Sequence, residues 1–377
     1  MSKASILYPL FSRFTQMHWI LVLFVTLLAC IGFAMMISAA GGNFSPWASR
    51  QVMRFMFAFF LMLIIALMPA TLLLRYAYVF YVLCLLLLIG VEMAGFIGMG
   101  AKRWVDVGGV NIQPSELMKI AIIIALARYF HSTNLQDVNR FIVLVPPLLL
   151  VLVPAAFILR QPNLGTAAVL VFVGATLFFM SGVRARYFLV IIVLGLAAAP
   201  VGWHFLHDYQ KQRVQTFLHP EEDPLGAGYN IMQSMIAIGS GGFFGKGFMH
   251  GSQGQLDFLP EKHTDFIFTM LAEEFGFVGC FIIIALYTTL IAYGVAIGLR
   301  CRHMFGSLLS MGVSAMLFVH IVINMAMVMG LIPVVGVPLP LLSYGGSIMI
   351  SMLIGFGLMQ NAYVHRDVHL SRAMGVL

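Results

Sequence analysis

The sequence predicts an all-α integral membrane protein of about ten transmembrane helices, with one long extracytoplasmic loop between the seventh and eighth spans. Three observations carry that expectation. Of 377 residues, 61% are hydrophobic and only 9% charged, whereas soluble chains are about half apolar and a quarter charged. Apolar runs long enough to cross ~30 Å of hydrocarbon at ~1.5 Å per residue recur along the chain. The Lys and Arg behind a net charge of +7 stand singly between those runs rather than in clusters.

The runs fall at 17–40, 51–68, 72–97, 114–131, 141–159, 165–182, 186–206, 267–298, 304–329 and 345–364. The first is too long for the apolar stretch of a signal peptide and no small-residue cleavage site follows, so it reads as a retained span. An even number of spans puts both termini on one side. Eleven Lys and Arg lie in short connections on the terminal side, from Lys3 and Arg13 to Arg366 and Arg372. Six (Arg50, Arg54, Lys102, Arg103, Lys119 and Arg160) lie on the other side, outside its long loop. The excess predicts cytoplasmic termini. Residues 1–377 read as one polytopic domain without internal repeat, and residues 207–264 as its extracytoplasmic loop. No basic cluster interleaved with aromatics points to nucleic acid. Cys30, Cys84, Cys280 and Cys301 have neither CxxC nor metal-ligand spacing and read as buried small hydrophobes.

Chemistry-bearing residues concentrate on the external face. LPEKHTDFIF, 259–268, crowds Glu261, Lys262, His263 and Asp265 into five positions where the long loop re-enters the membrane. Thr264 and Asp265 would suit a helix cap. One cap does not require the three ionisable neighbours, and a carboxylate here sits where the head group of a lipid-linked substrate would lie. A helix N-terminus lowers a carboxylate's pKa, so a general base at Asp265 needs burial or Glu261 to oppose the dipole. The stretch AKRWVDVGGVNIQPSELMKI, 101–120, lies on the same face. Pro114 suits the first helical position and Glu116 the first turn. Glu116 and Lys119, three apart, share a helix face, and an ammonium inside a span needs such a partner. The pair is either structural or the wall of a water-filled cavity. Lys102, Arg103 and Trp104 could meet a phosphate and a sugar face, or anchor the interface.

The glycine cluster GSGGFFGKG, 239–247, fails as a phosphate-binding loop, because Ser240 stands where the first Gly belongs and Gly247 follows Lys246. It reads as a tight turn, with an anion contact at Lys246 as the alternative. Glu273 and Glu274 read as interior polar contacts or cavity lining. GLIPVVGVPLPLLSYGGS, 330–347, holds too many Pro and Gly for helix and predicts an irregular loop at membrane depth, with Ser343 its notable polar side chain. His320 and Asn324 share a face of the preceding span and read as helix pairing.

These stretches, in this order, resemble the SEDS family of bacterial cell-shape, division and sporulation proteins, across nearly the whole chain. They look most like its elongation member, a distinction resting on the short N-terminus and on EKHTDF. The resemblance implies a ten-helix peptidoglycan glycosyltransferase that polymerises lipid II at the outer face of the cytoplasmic membrane. It implies a divalent cation, Mg or Mn, and a class B penicillin-binding protein as partner. The family's essential aspartate falls on Asp265. Its QPSE-x-x-K motif falls on Gln113, Ser115, Glu116 and Lys119, and its Arg-Trp on Arg103 and Trp104. Asn163 stands where the family usually carries Asp, so it is left out of the site.

The expected site therefore takes Asp265 as base and Glu116–Lys119 as supporting pair. Substrate contacts are expected from Lys102, Arg103, Trp104, Gln113, Ser115, Arg213, Lys246, Glu261, Lys262, His263, Thr264 and Ser343, with Asp265 or Glu261 sharing the cation. A lipid-linked precursor flippase is the rival, favoured by an intramembrane charged pair and a broken helix and opposed by the missing repeat. A non-catalytic scaffold is the third possibility.

Overall fold

In the computed structural model the described residues are 13–371, apart from 95, 99–100, 108–109, 135, 206–207, 224–225, 257 and 260. The orientation charges at Lys3 and Arg372 lie outside them. Each expected span is helical: α1 (Trp19–Ala39), α2 (Trp47–Leu67), α3 (Ala70–Ala94), α4 (Pro114–Ser132), α5 (Phe141–Arg160), α6 (Leu164–Met180) and α7 (Ala185–Phe205). The long loop contributes α8 (Asp208–Leu218), α9 (Ala227–Ser240) and α10 (Ser252–Gln255). Then follow α11 (Ile267–Arg300), α12 (Met304–Val328) and α13 (Gly346–Val364). Seven of these, among the described residues, are long and apolar enough by themselves to cross a membrane. The helix α4 carries Glu116, Lys119 and Arg128 within its length, and α6 has only 17 residues.

One element departs from the expectation. Residues beyond α3 form a three-stranded antiparallel sheet, β1 (Phe96–Gly98), β2 (Ala101–Val107) and β3 (Val110–Ile112). Val107 pairs with Val110 across the two residues, 108 and 109, that lie outside the described ones. The sequence signal for these strands is the run of β-branched residues alternating around Gly-Gly.

The bundle is built around α4, α12 and α13, whose side chains are buried nearly all round. Outer helices such as α2 turn Met53, Met56, Phe57 and Phe60 outward as a lipid-facing stripe. Close approach uses glycine: a side chain at Gly357 of α13 would strike the backbone of Met62 in α2. The irregular segment between α12 and α13 is non-helical, as expected.

At 34 residues α11 is longer than a span requires, and it breaks at Gly276 (φ 61°, ψ −157°). The glycine cluster 239–247 serves that break. Lys246 and Gly247 donate backbone N–H groups to the carbonyls of Glu273 and Glu274 at 3.0 and 2.9 Å, and Phe277 donates back to Gly242 at 3.0 Å. The loop supplies the partners that a broken helix leaves unpaired, which a membrane cannot.

A charged cavity as the candidate active site

The ends of the buried helices next to the long loop enclose one cavity of about 570 Å³. Asp265, Glu261 and Thr264 line it from the end of the long loop; Glu116, Gln113, Arg103 and Trp104 line it from the other predicted stretch. Two segments more than 140 residues apart in the chain thus face one space, as the sequence proposed.

Asp265 is held by its backbone. The carbonyls of His263, Thr264 and Asp265 accept hydrogen bonds from Tyr344 N (2.9 Å), Ser343 Oγ (2.7 Å) and Asn324 Nδ2 (2.9 Å). Successive carbonyls are fixed by the irregular segment and by α12, leaving the side chain free. The residue before α11 is Phe266, and no side chain caps the helix. Asp265 is therefore not the cap it could have been, and its carboxylate faces the cavity. Burial first, then the nearby charge of Glu261, push its pKa up to about 6, while Arg213 pulls the other way. Gly336 (φ 70°) sits beside it, where an added Cβ would stand 3.4 Å from Oδ2.

Glu116 and Lys119 do pair, at 2.8 Å. Ser351 Oγ donates to the other Glu116 oxygen at 3.0 Å. Glu116 reaches the cavity while Lys119 stands behind the wall, fully buried. Arg103 lines the cavity but also donates to the carbonyls of Gln161 and Pro162, at 2.9 and 2.5 Å.

Several expected contacts are elsewhere. Lys246 pairs with Glu273 at 2.7 Å and bonds Ser252, so it neutralises a buried carboxylate rather than meeting an anion in the cavity. Lys262 turns away, donating to Gly254 O at 2.8 Å. His263 stacks on Trp47, centroids 4.2 Å apart, and burial lowers its pKa. Ser343 spends its hydroxyl on Thr264 O and receives Leu339 N at 2.8 Å, making it a backbone clasp. Ser115 is buried beside the cavity without lining it, and Arg213 acts on Asp265 only through its charge. Of Lys102 only the strand position, opposite Ile97, is described; its side chain lies outside the described residues.

The sequence reading missed other lining residues. Arg50 and Arg54, one turn apart on α2, line the cavity with no acidic partner among the described residues. Arg54 also lies 5.0 Å over the Tyr344 ring. Their i, i+4 spacing in an apolar helix is the sequence signal for a shared polar face there. Asn163, left out, lines the cavity and accepts Thr166 N at 3.4 Å as the cap of α6. His320 also lines it. Asn324, expected to pair helices, instead ties two non-helical stretches to α12, donating to Asp265 O and Val337 O. For a cation, no group of three or more His, Cys, Asp or Glu gathers among the described residues. Asp265 and Glu261 together fit the habit of Mg²⁺, which takes one or two carboxylates plus substrate phosphates.

Comparison with known proteins bears on this geometry. The cell cycle protein family that groups FtsW, RodA and SpoVE matches residues 16–368. The peptidoglycan glycosyltransferase MrdB of Escherichia coli K12 is 43% identical over 354 residues, 92% of this chain and 94% of that protein. Stage V sporulation protein E of Bacillus subtilis is 39% identical over 284 residues, 75% of this chain and 76% of its own length. Among solved structures, a chain of a peptidoglycan synthase complex that coordinates polymerization and crosslinking superposes with a TM-score of 0.83 at 32% identity, covering 94% of this chain and 99% of that one. The rod shape determining protein RodA of Thermus thermophilus superposes at 0.71 and 30% identity, covering 94% and 98%. Matched by the family model over residues 16–368 and 43% identical to MrdB over 92% of its length, this chain belongs to the FtsW, RodA and SpoVE family of cell cycle proteins.

Proposed function

We propose that this chain is the elongation-type peptidoglycan glycosyltransferase of its cell, joining lipid II units into glycan strands on the outer face of the inner membrane. Identity to the MrdB glycosyltransferases supports the activity. One observation carries the mechanism: a carboxylate that caps no helix and has a raised pKa shares a cavity with the guanidinium groups of Arg50 and Arg54, which have no acidic partner among the described residues. A general base works best with its pKa near the operating pH, and burial puts Asp265 there.

In the proposed step, a sugar hydroxyl of the acceptor attacks the anomeric carbon of the donor. Its proton passes to the Asp265 carboxylate, and the bond from that carbon to the lipid diphosphate breaks. Arg50, Arg54 and Arg103 face the negative charge that grows on the departing diphosphate. A divalent cation held by Glu261 would neutralise more of that charge. Thr264 Oγ1 donates to one Glu261 oxygen at 2.7 Å and leaves the other for the ion. Trp104 offers the sugar an aromatic face, and the exposed apolar faces of the outer helices take the prenyl tails.

The site opens on the extracytoplasmic side and the termini are cytoplasmic, as the charge excess argues. The likeness to a polymerising and crosslinking complex supports a penicillin-binding protein as partner, and we assign it to the class B transpeptidases. The test is conversion of purified lipid II to glycan by the chain with that partner. Asp265→Ala should abolish it; polymerisation at the wild-type rate would sink the base assignment. Transfer of labelled lipid across liposomes without chain growth would favour a flippase instead.

A further inference from the structure

His320 had no expected role beyond pairing helices, yet it lines the cavity and touches the buried ammonium behind the cavity wall. Lys119 is 1% exposed and lies 2.8 Å from both Glu116 Oε1 and His320 Nε2. An ammonium only donates, so His320 Nε2 must accept and carry no proton. The other nitrogen, Nδ1, lies 2.7 Å from Met316 O, one turn back on α12. A carbonyl only accepts, so Nδ1 carries the proton. Backbone geometry thus selects the one tautomer that can receive Lys119.

We infer that His320 is a positioning residue for glycosyl transfer: held as its Nδ1–H tautomer, it accepts Lys119 and thereby fixes the Glu116 carboxylate toward the substrate. The inference rests on the glycosyltransferase reading and adds a residue to it. Without His320 the ammonium keeps Glu116 as its one acceptor among the described residues. The long lysine chain can then swing, carrying the carboxylate with it. Glu116 is further held by Ser351, so the pair is loosened rather than lost. Misplacement of about 1 Å in a substrate-orienting group can cost up to ~100-fold in rate.

The test compares His320→Leu with His320→Gln in lipid II polymerisation by the complex with its partner, measuring kcat and KM separately. The Gln carbonyl can accept from an ammonium and the Leu side chain cannot. His320→Leu should lower kcat about tenfold or more with KM nearly unchanged, and His320→Gln should stay within about threefold of wild type. Lys119→Met should lose activity, and adding His320→Leu to it should cost nothing further, because both act through one hydrogen bond. If His320→Leu does not fold, His320→Met carries the same expectation. Equal losses for Leu and Gln, or losses that multiply with Lys119→Met, would overturn the inference. Nitrogen-15 spectra of histidine-labelled protein, with His320 identified by its absence from His320→Gln, report the tautomer without turnover. A proton on Nε2 refutes the inference even if the activity reading stands. An inactive wild-type complex with the Nδ1–H signal present refutes the activity reading alone.

Discussion

At the scale of single residues, Asp265 shows a site carried at a cost to the fold. Its pKa lies near 6, against 3.8 for an ordinary aspartate in the unfolded chain. The folded protein therefore retains a proton that the unfolded chain releases. Ionisation opposes folding in full above about pH 6 and not at all below about pH 3.8. Asp265→Asn should melt higher than wild type in detergent at pH 8, and the difference should shrink as pH falls from 6 toward 4. Melting curves that coincide at every pH would remove the burial argument. Turnover should follow the ionised base and drop as pH falls through about 6. Arg50 and Arg54 allow a separate prediction. A hydrogen bond to a charged group contributes roughly 1.5–3 kcal/mol, so Arg54→Ala should raise KM for lipid II about tenfold or more. Arg54→Lys keeps the charge without the planar fork and should fall between. A lipid II titration that leaves KM unchanged would exclude Arg54 from the diphosphate.

At the scale of elements, the irregular segment between α12 and α13 matters more for what it holds than for what it exposes. Ser343 joins the buried Leu339 N to the half-buried Thr264 O, so Ser343→Ala leaves two backbone groups unpaired. Loss of about 1–3 kcal/mol of stability is expected, readable as a lower midpoint in thermal unfolding. Activity should fall further than the folded fraction accounts for, because the same bond fixes the backbone beside Asp265. The glycine clasp around Gly276 is the second such device. Any Cβ at 276 would meet backbone atoms of Gly241, Gly242 and Gly245, in a conformation that L residues rarely adopt. Gly276→Ala should lower the yield of folded protein in membranes; normal yield and turnover would show that α11 can straighten. Both devices were visible in the sequence as glycine and proline clusters. Their partners were not, because Thr264 and Ser343, 79 positions apart, meet only through the packing of α11 against α12 and α13.

At the scale of the whole molecule, orientation is the claim most open to direct test. With the four native cysteines replaced, Phe244→Cys in the exposed glycine loop should react with an impermeant maleimide in intact spheroplasts. Arg140→Cys, exposed at the other end of the bundle, should react only after permeabilisation. The opposite pattern would place the cavity in the cytoplasm, where an extracytoplasmic polymerase cannot work.

Hydrophobic run length alone located a helix at each expected run, because a membrane requires backbone polar groups to be satisfied within the segment. Charge in apolar surroundings singled out Glu116, Lys119 and Asp265, since buried ions demand partners or a function. The tertiary structure decided which of the remaining polar residues face the substrate. Lys246, Lys262 and Ser343 carry suitable chemistry but spend their donors on a nearby carboxylate and on backbone carbonyls. Arg50, Arg54, Asn163 and His320 reach the cavity because of how α2, α6 and α12 rotate in the bundle. That rotation comes from close packing among many side chains at once, and no local stretch of sequence encodes it.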